Sequence, residues 1–315
     1  MAEKKKPNEI YITRIYDAPV KTVWNAWVEP DQVAQWWGPR GFTITTHHKD
    51  VRTGGSWNYI MHGPDGIDYP NNTKFLEVEK YSRLVYDHGA NENQPPLFRV
   101  TVLFSEIKGK TKMEMTMALA TEEAARSTKK FIKKANGDST WDRLAEYLSS
   151  TKEIFVINRS FEVPIDVMFE MWTNPKHMSK WIPPTGAEME FIKANIKVGG
   201  ESFYCMMAGN NMKMYGKTHY LEITKPSRIV YTQIFCDAEE KISRHPMAPL
   251  WPETMLTTVT FHEEGTNSTR VTVQWEVYGN ASPAEIDVFA KAKSGMTQGW
   301  TGSFDKLEDY ITQLT

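Results

Sequence analysis

Two periodicities succeed one another along the chain. Glu9–Tyr16 alternates apolar and polar positions and is rich in β-branched and aromatic residues, the pattern of a strand with one buried face. Pro19 follows, and Val20, Val23, Trp24, Trp27 and Val28 then recur at helical spacing, so a helix with one apolar side opens at the proline. Pro30 ends it, and residues 30–37 read as a second short helix. Strand patterns then run over 42–51, 56–62, 73–79, 84–88, 98–106 and 112–119, separated by Gly-Gly, Pro-Asp-Gly, Pro-Pro and Lys-Gly-Lys turns. Trp141, Leu144 and Leu148 mark a closing helix.

The same order then returns. Arg14-Ile15-Tyr16-Asp17-Ala18-Pro19-Val20 matches Arg159-Ser160-Phe161-Glu162-Val163-Pro164-Ile165, an offset of 145 residues. That offset also pairs Trp27 with Trp172, Trp36 with Trp181, and Gly54-Gly55 with Gly199-Gly200. Chance does not hold one register across some seventy residues. Further on the register drifts, Thr111 meeting Thr269 and Leu144 meeting Leu307, so the second copy carries insertions, chiefly a loop around Pro246, Pro249 and Pro252. Its closing helix repeats Met296, Trp300, Phe304, Leu307, Ile311 and Leu314, and Ser282-Pro283-Ala284-Glu285 reads as a capping box for a short helix just before. Gly295, Gly299 and Gly302 lower the helix propensity there and leave room for close approach.

The chain of 315 residues therefore reads as two tandem domains, 1–150 and 151–315, joined near 149–152 with almost no linker. The fold class is α+β. Each domain is a curved antiparallel sheet of about seven strands wrapped on a long C-terminal helix, with two short helices after the first strand. A bent sheet covered by a single helix predicts an internal hollow between them.

Composition narrows the function. Hydrophobic residues at 40%, charged residues at 24% and a net charge of −2 describe an ordinary globular chain and give no reason to expect nucleic acid as a partner. No apolar stretch is long enough for a membrane span, and the opening Met-Ala-Glu-Lys-Lys-Lys-Pro-Asn does not read as a secretory signal. Two cysteines, Cys205 and Cys236, make no disulfide framework, so a reducing cytoplasm is the default compartment. Lysines 4–6 read as a solvated tail. Lys129, Lys130, Lys133 and Lys134 around Phe131-Ile132 read as a solvated helix face beside Asn136-Gly137. His47 and His48 are strand neighbours that point to opposite faces, which is wrong for a shared metal. No nucleophile triad, phosphate loop or dinucleotide fingerprint occurs. No metal or cofactor is expected, and the chain reads as a binding protein rather than an enzyme.

Candidate ligand-binding residues follow from the hollow. Trp57, Tyr59 and Met61 share one strand face, and Tyr204 and Met206 hold the same parity in the second copy. Trp36 and Trp37 are adjacent and diverge, so one of them is placed at the cavity mouth; Trp181 is the counterpart of Trp36. Met296 and Trp300 face inward from the last helix, while Trp24, Trp27 and Trp172 read as core. Were chemistry present, Glu77 and Glu222 would be its general bases, raised in pKa by an apolar pocket. Pairing with Arg52 and Lys197, or with Arg83 and Arg228, or simple exposure, is the plainer alternative.

Several runs also resemble a known family: Ala18-Pro19-Val20 with Trp24 and Trp27, Trp36-Trp37-Gly38-Pro39, Asp50-Val51-Arg52 with Gly54-Gly55-Ser56-Trp57, Phe75-Leu76-Glu77-Val78, and Arg83-Leu84-Val85-Tyr86. Together they resemble the SRPBCC superfamily, the START or birch-pollen-allergen-like helix-grip fold, and within it the bacterial branch named after the activator of heat-shock-protein-90 ATPase. The second copy repeats the series as Lys197-Val198-Gly199-Gly200, Tyr220-Leu221-Glu222-Ile223 and Arg228-Ile229-Val230-Tyr231. The resemblance implies a hydrophobic cavity in each domain for a small apolar molecule. Its alternatives are contact with a heat-shock-protein-90-type chaperone and, more weakly, cyclase or hydrolase chemistry. The chain departs from the pattern at Trp181-Ile182-Pro183-Pro184 and at Asn195, which replaces Asp50, and it has no Asn-Trp-His-Trp motif of the eukaryotic co-chaperone.

Overall fold

A computed structural model describes residues 6–89, 95–134, 138–149, 153–209 and 212–314. The chain divides into two compact units, Met1–Lys152 and Glu153–Thr315. The predicted joint at 149–152 lies largely outside the described residues.

The first unit runs β1 (Glu9–Tyr16), α1 (Val20–Val28), α2 (Pro30–Val33), β2 (Thr43–Lys49), β3 (Ser56–His62), β4 (Asp68–Glu79), β5 (Arg83–Gly89), β6 (Phe98–Ile107), β7 (Lys110–Ala118), α3 (Glu122–Lys134) and α4 (Ser139–Leu148). The second runs β8 (Ile154–Phe161), α5 (Ile165–Thr173), α6 (Pro175–Trp181), β9 (Glu188–Ala194), β10 (Glu201–Ala208), β11 (Met212–Thr224), β12 (Arg228–Cys236), β13 (Thr254–Gly265), β14 (Ser268–Val277) and α7 (Pro283–Leu314). Each unit holds one antiparallel seven-stranded sheet, ordered β1-β7-β6-β5-β4-β3-β2 and β8-β14-β13-β12-β11-β10-β9. The chain is two tandem helix-grip domains.

Duplication reaches single hydrogen bonds. Pro19 and Pro164 occupy equivalent helix N-caps, with ψ of 150° and 151°. Trp36 and Trp181 donate their indole N–H to Ala26 O and Met171 O, both at 3.0 Å, and so pin α1 and α5 from behind. Thr111 and Thr269 donate to Ala18 O and Val163 O at 2.7 and 2.8 Å. The Gly-Gly turns have one steric cause: a Cβ on Gly55 or Gly200 falls 2.2 or 2.1 Å from the carbonyl oxygen of Asp50 or Asn195.

Three differences from the sequence pattern have local reasons. Strand β4 begins at Asp68 rather than 73, because Pro70 lies where the strand pairs β3 and its partner β5 has yet to join, at Asn72. The capping box at Ser282 and Glu285 forms, with Ser282 N donating to Glu285 Oε2 at 2.8 Å, but it caps α7 itself. That helix runs 32 residues without a break. In the first unit the closing helix is two pieces, α3 and α4; Asn136-Gly137 fall between them, outside the described residues.

Inside both units indole rings stack: Trp27 on Trp141 at 5.8 Å and 15°, and Trp172 on Trp300 at 6.0 Å and 14°. Each stack joins the first helix of its unit to the closing helix, α1 to α4 and α5 to α7. Leu144 and Leu307, matched in the sequence, are both fully buried.

Candidate functional site

In the first unit a small space lies beside α1. A recess of about 10 Å³ is lined by Trp27 and Val28 of α1, Trp37, Lys49, Val51, Trp57, Thr73, Phe75, Leu84 and Tyr86. As packed, this is room for about one water molecule. No lining residue comes from the closing helix.

Three features position its aromatic wall. Arg143, on α4, donates to the carbonyl oxygens of Gly38, Pro39 and Phe42 at 2.9, 3.1 and 3.0 Å, which holds the loop carrying Trp37. Trp37 then donates its indole N–H to Tyr59 OH at 3.0 Å. Tyr59 in turn stacks on Trp57 at 4.1 Å and 25°, and Trp57 donates to Thr46 Oγ1 at 3.1 Å. The rings are locked edge and face. Burial pushes the Tyr59 and Tyr86 phenols above their ordinary range, so both stay neutral.

Lys49 stands apart in this wall. Its ammonium lies over the Trp57 ring, 3.3 Å from the centroid, a cation–π contact. Burial pulls the amine down to about 7, against a smaller opposing pull from the charge of Glu29. Among the described residues no carboxylate forms an ion pair with it. Lysine reaches the inner face through a β-bulge: the β2–β3 register slips between Thr46 and His48, so Thr46 pairs Tyr59 and Lys49 pairs Trp57. Simple alternation along β2 assigns Lys49 to the outside, and nothing in the periodicity marks the bulge.

The second unit has the same bulge but other side chains. Ala194 and Ser202 pair where Lys49 and Trp57 stand. Ser202 Oγ lies 3.3 Å from Tyr220 OH, and Gln233 Nε2 donates to Tyr204 OH at 2.6 Å. Burial pushes the Tyr204 phenol up to about 12. Polar contacts fill the place of the first unit's aromatic wall.

The candidate residues are thus distributed. Trp37 and Trp57 line the recess, and Tyr59 buttresses both. Met61 is half-buried beside Gly38, outside the lining. Trp36 and Trp181 are fully buried anchors at 0% exposure. Tyr204 packs over Gly216, and Met206 lies in a row with Met189 and Met214 across three strands. Met296 and Trp300 belong to the second core. Glu77 is 54% exposed and accepts from Arg83 at 2.9 Å. Glu222 accepts from Thr224 at 2.9 Å and Arg228 at 3.1 Å, and these bonds, Thr224's first, hold its carboxyl below the ordinary range. The elevated pKa that a general base in an apolar pocket requires is the reverse of this. Of the lining, sequence reasoning named Trp37 and Trp57 as ligand-binding and missed the rest, Lys49 and Tyr86 among them.

Fold and site together define a tandem helix-grip protein with an aromatic recess in its first domain. The chain belongs to the family described as activator of Hsp90 ATPase homolog 1-like protein, whose sequence pattern matches residues 17–149 and again 162–312. Among solved structures, it is similar to a Staphylococcus epidermidis protein (26% identity, 47% of this chain and 93% of that one, TM-score 0.42). It is likewise similar to an Arthrobacter aurescens protein (25% identity, 47% and 91%, TM-score 0.43). The di-domain ARO/CYC protein BexL from the BE-7585A biosynthetic pathway aligns over 96% of this chain and 97% of its own, at 12% identity and TM-score 0.38. No curated protein matches the chain. No helix among the described residues is long and apolar enough to cross a membrane, and no group of three metal-ligating side chains occurs among them.

Proposed function

We propose that the first unit binds a small, planar, apolar molecule against the Trp57 ring, without turning it over. The carrying observation is Lys49, a flexible side chain that lies over that ring at 3.3 Å, in the place where a planar ligand stacks. Swinging its four-carbon stem aside uncovers the Trp57 face without moving the backbone, which enlarges a recess otherwise sized for a single water. Trp27, Trp37 and Phe75 supply the remaining apolar surface. Glu77 and Glu222 stand in ion pairs away from the recess, so binding is favoured over catalysis. The reading narrows from both domains to the first, because Ala194 and Ser202 offer no ring to stack on. A reducing, cytoplasmic setting suits the two free, buried cysteines.

The test is calorimetric titration of the full chain with 2-naphthylmethanol, a neutral planar probe. Wild type is expected to bind it, and Trp57→Leu to weaken binding about tenfold through loss of the aromatic stack. Absence of binding to wild type, or equal binding by a folded Trp57→Leu variant, overturns the proposal.

The family description supports a second reading, contact with a heat-shock-protein-90-type chaperone. It predicts faster ATP turnover by a bacterial chaperone of that type when this protein is added. Unchanged turnover at saturating concentration ends it.

A further inference from the structure

We propose that Lys49 makes the first-unit recess selective for aromatic acids, its ammonium pairing with the carboxylate or sulfonate of a planar ligand whose ring lies on Trp57. The inference rests on the binding reading above and adds the ligand's charge to it.

The argument begins with what surrounds the amine. Nine other residues line the recess, and the only ones with polar side-chain atoms are Thr73, Tyr86 and the three indoles of Trp27, Trp37 and Trp57. None of these carries a negative charge at neutral pH. Glu29, the C-cap of α1, raises the amine's pKa through its charge but forms no ion pair with it among the described residues. A cation in apolar surroundings normally finds a hydrogen-bonded anion. Here the face of Trp57 is the direct contact that compensates the charge, beside the smaller pull of Glu29. That contact is lost when a ligand takes the ring face, which leaves the ammonium desolvated and unmatched. A ligand that brings its own anion repairs the loss, whereas a neutral ligand does not. Burial, which pulls the amine down to about 7, works in the same direction: an incoming carboxylate restores full protonation.

The duplication supplies an internal contrast. Both units carry the bulge that turns this position inward, at His47 in β2 and at Ile192 in β9. Only the first unit places an amine there, and it places it opposite the tryptophan. In the second unit Ala194 stands opposite Ser202. A side chain serving merely to complete the sheet is needed equally in both copies.

The experiment compares 2-naphthoate with 2-naphthylmethanol, which share one ring system, by calorimetric titration of the full-length protein at pH 6.5. Wild type is expected to bind the acid about tenfold more tightly than the alcohol, the order of one charge-assisted contact away from water. Lys49→Met should abolish that preference while binding the alcohol at least as well, and Lys49→Arg should retain most of it. Equal affinity of wild type for the two probes overturns the inference and leaves the binding reading standing. A preference that survives in Lys49→Met overturns it too, placing the anion elsewhere. Failure of wild type to bind either probe overturns both readings. The wild-type comparison decides the question even where the methionine variant does not fold.

Discussion

Lys49 shows how one side chain is set by its surroundings rather than its type. An ordinary lysine titrates near 10.5, and this one is drawn to about 7 by burial among indoles. Between those values the unfolded chain holds a proton that the folded chain has lost, so stability rises with pH across this interval. Below about 7 the folded protein carries the charge at full desolvation cost. Lys49→Met is therefore expected to raise the urea midpoint of the first unit at pH 6, with the gain shrinking steadily towards pH 10. A gain that is constant with pH assigns the effect to packing rather than charge.

At the scale of elements, the bulges and glycines decide which side chains meet. The slip at His47 turns Lys49 inward, and the equivalent slip at Ile192 turns Ala194 inward. Gly216 on β11 is another such control: it pairs Tyr204, and a Cβ there lies 2.3 Å from the Tyr204 ring. Gly216→Ala is expected to push that ring off the strand, break the 2.6 Å bond from Gln233, and destabilise the second unit by about 1–3 kcal/mol, as overpacking does. Urea unfolding gives the energy, and the Tyr204 titration, at present pushed up to about 12, should fall towards that of a solvated phenol. A neutral substitution shows instead that the ring has room to turn.

At the scale of the molecule, duplication preserved a scaffold and let the two interiors diverge. Paired proline caps, the paired Trp36 and Trp181 anchors and the paired threonine bonds keep both sheets closed in the same way. Inside, one unit has an aromatic wall with an amine and the other a set of phenol, hydroxyl and amide contacts. The naphthyl titrations are accordingly expected to saturate at one site per chain; two equivalent sites show that the divergence is functionally silent.

Much of this was legible without coordinates, because helix and strand periodicities are local and repeat recognition needs only register. The offset of 145 residues, the sheet strands, the short helices after each first strand and the closing amphipathic helix all follow from neighbours along the chain. Trp57 and Tyr59 could be named because alternation places them on one strand face, and Trp37 because it diverges from its neighbour Trp36. What only the tertiary structure decided is how the space was used. Whether a hollow stays open depends on the orientation of rings from segments more than a hundred residues apart, as with Trp27 on Trp141. Which face Lys49 takes depends on one extra residue in β2, paired against another strand. Backbone periodicity is encoded nearby, whereas volume and register are settled between distant parts of the chain.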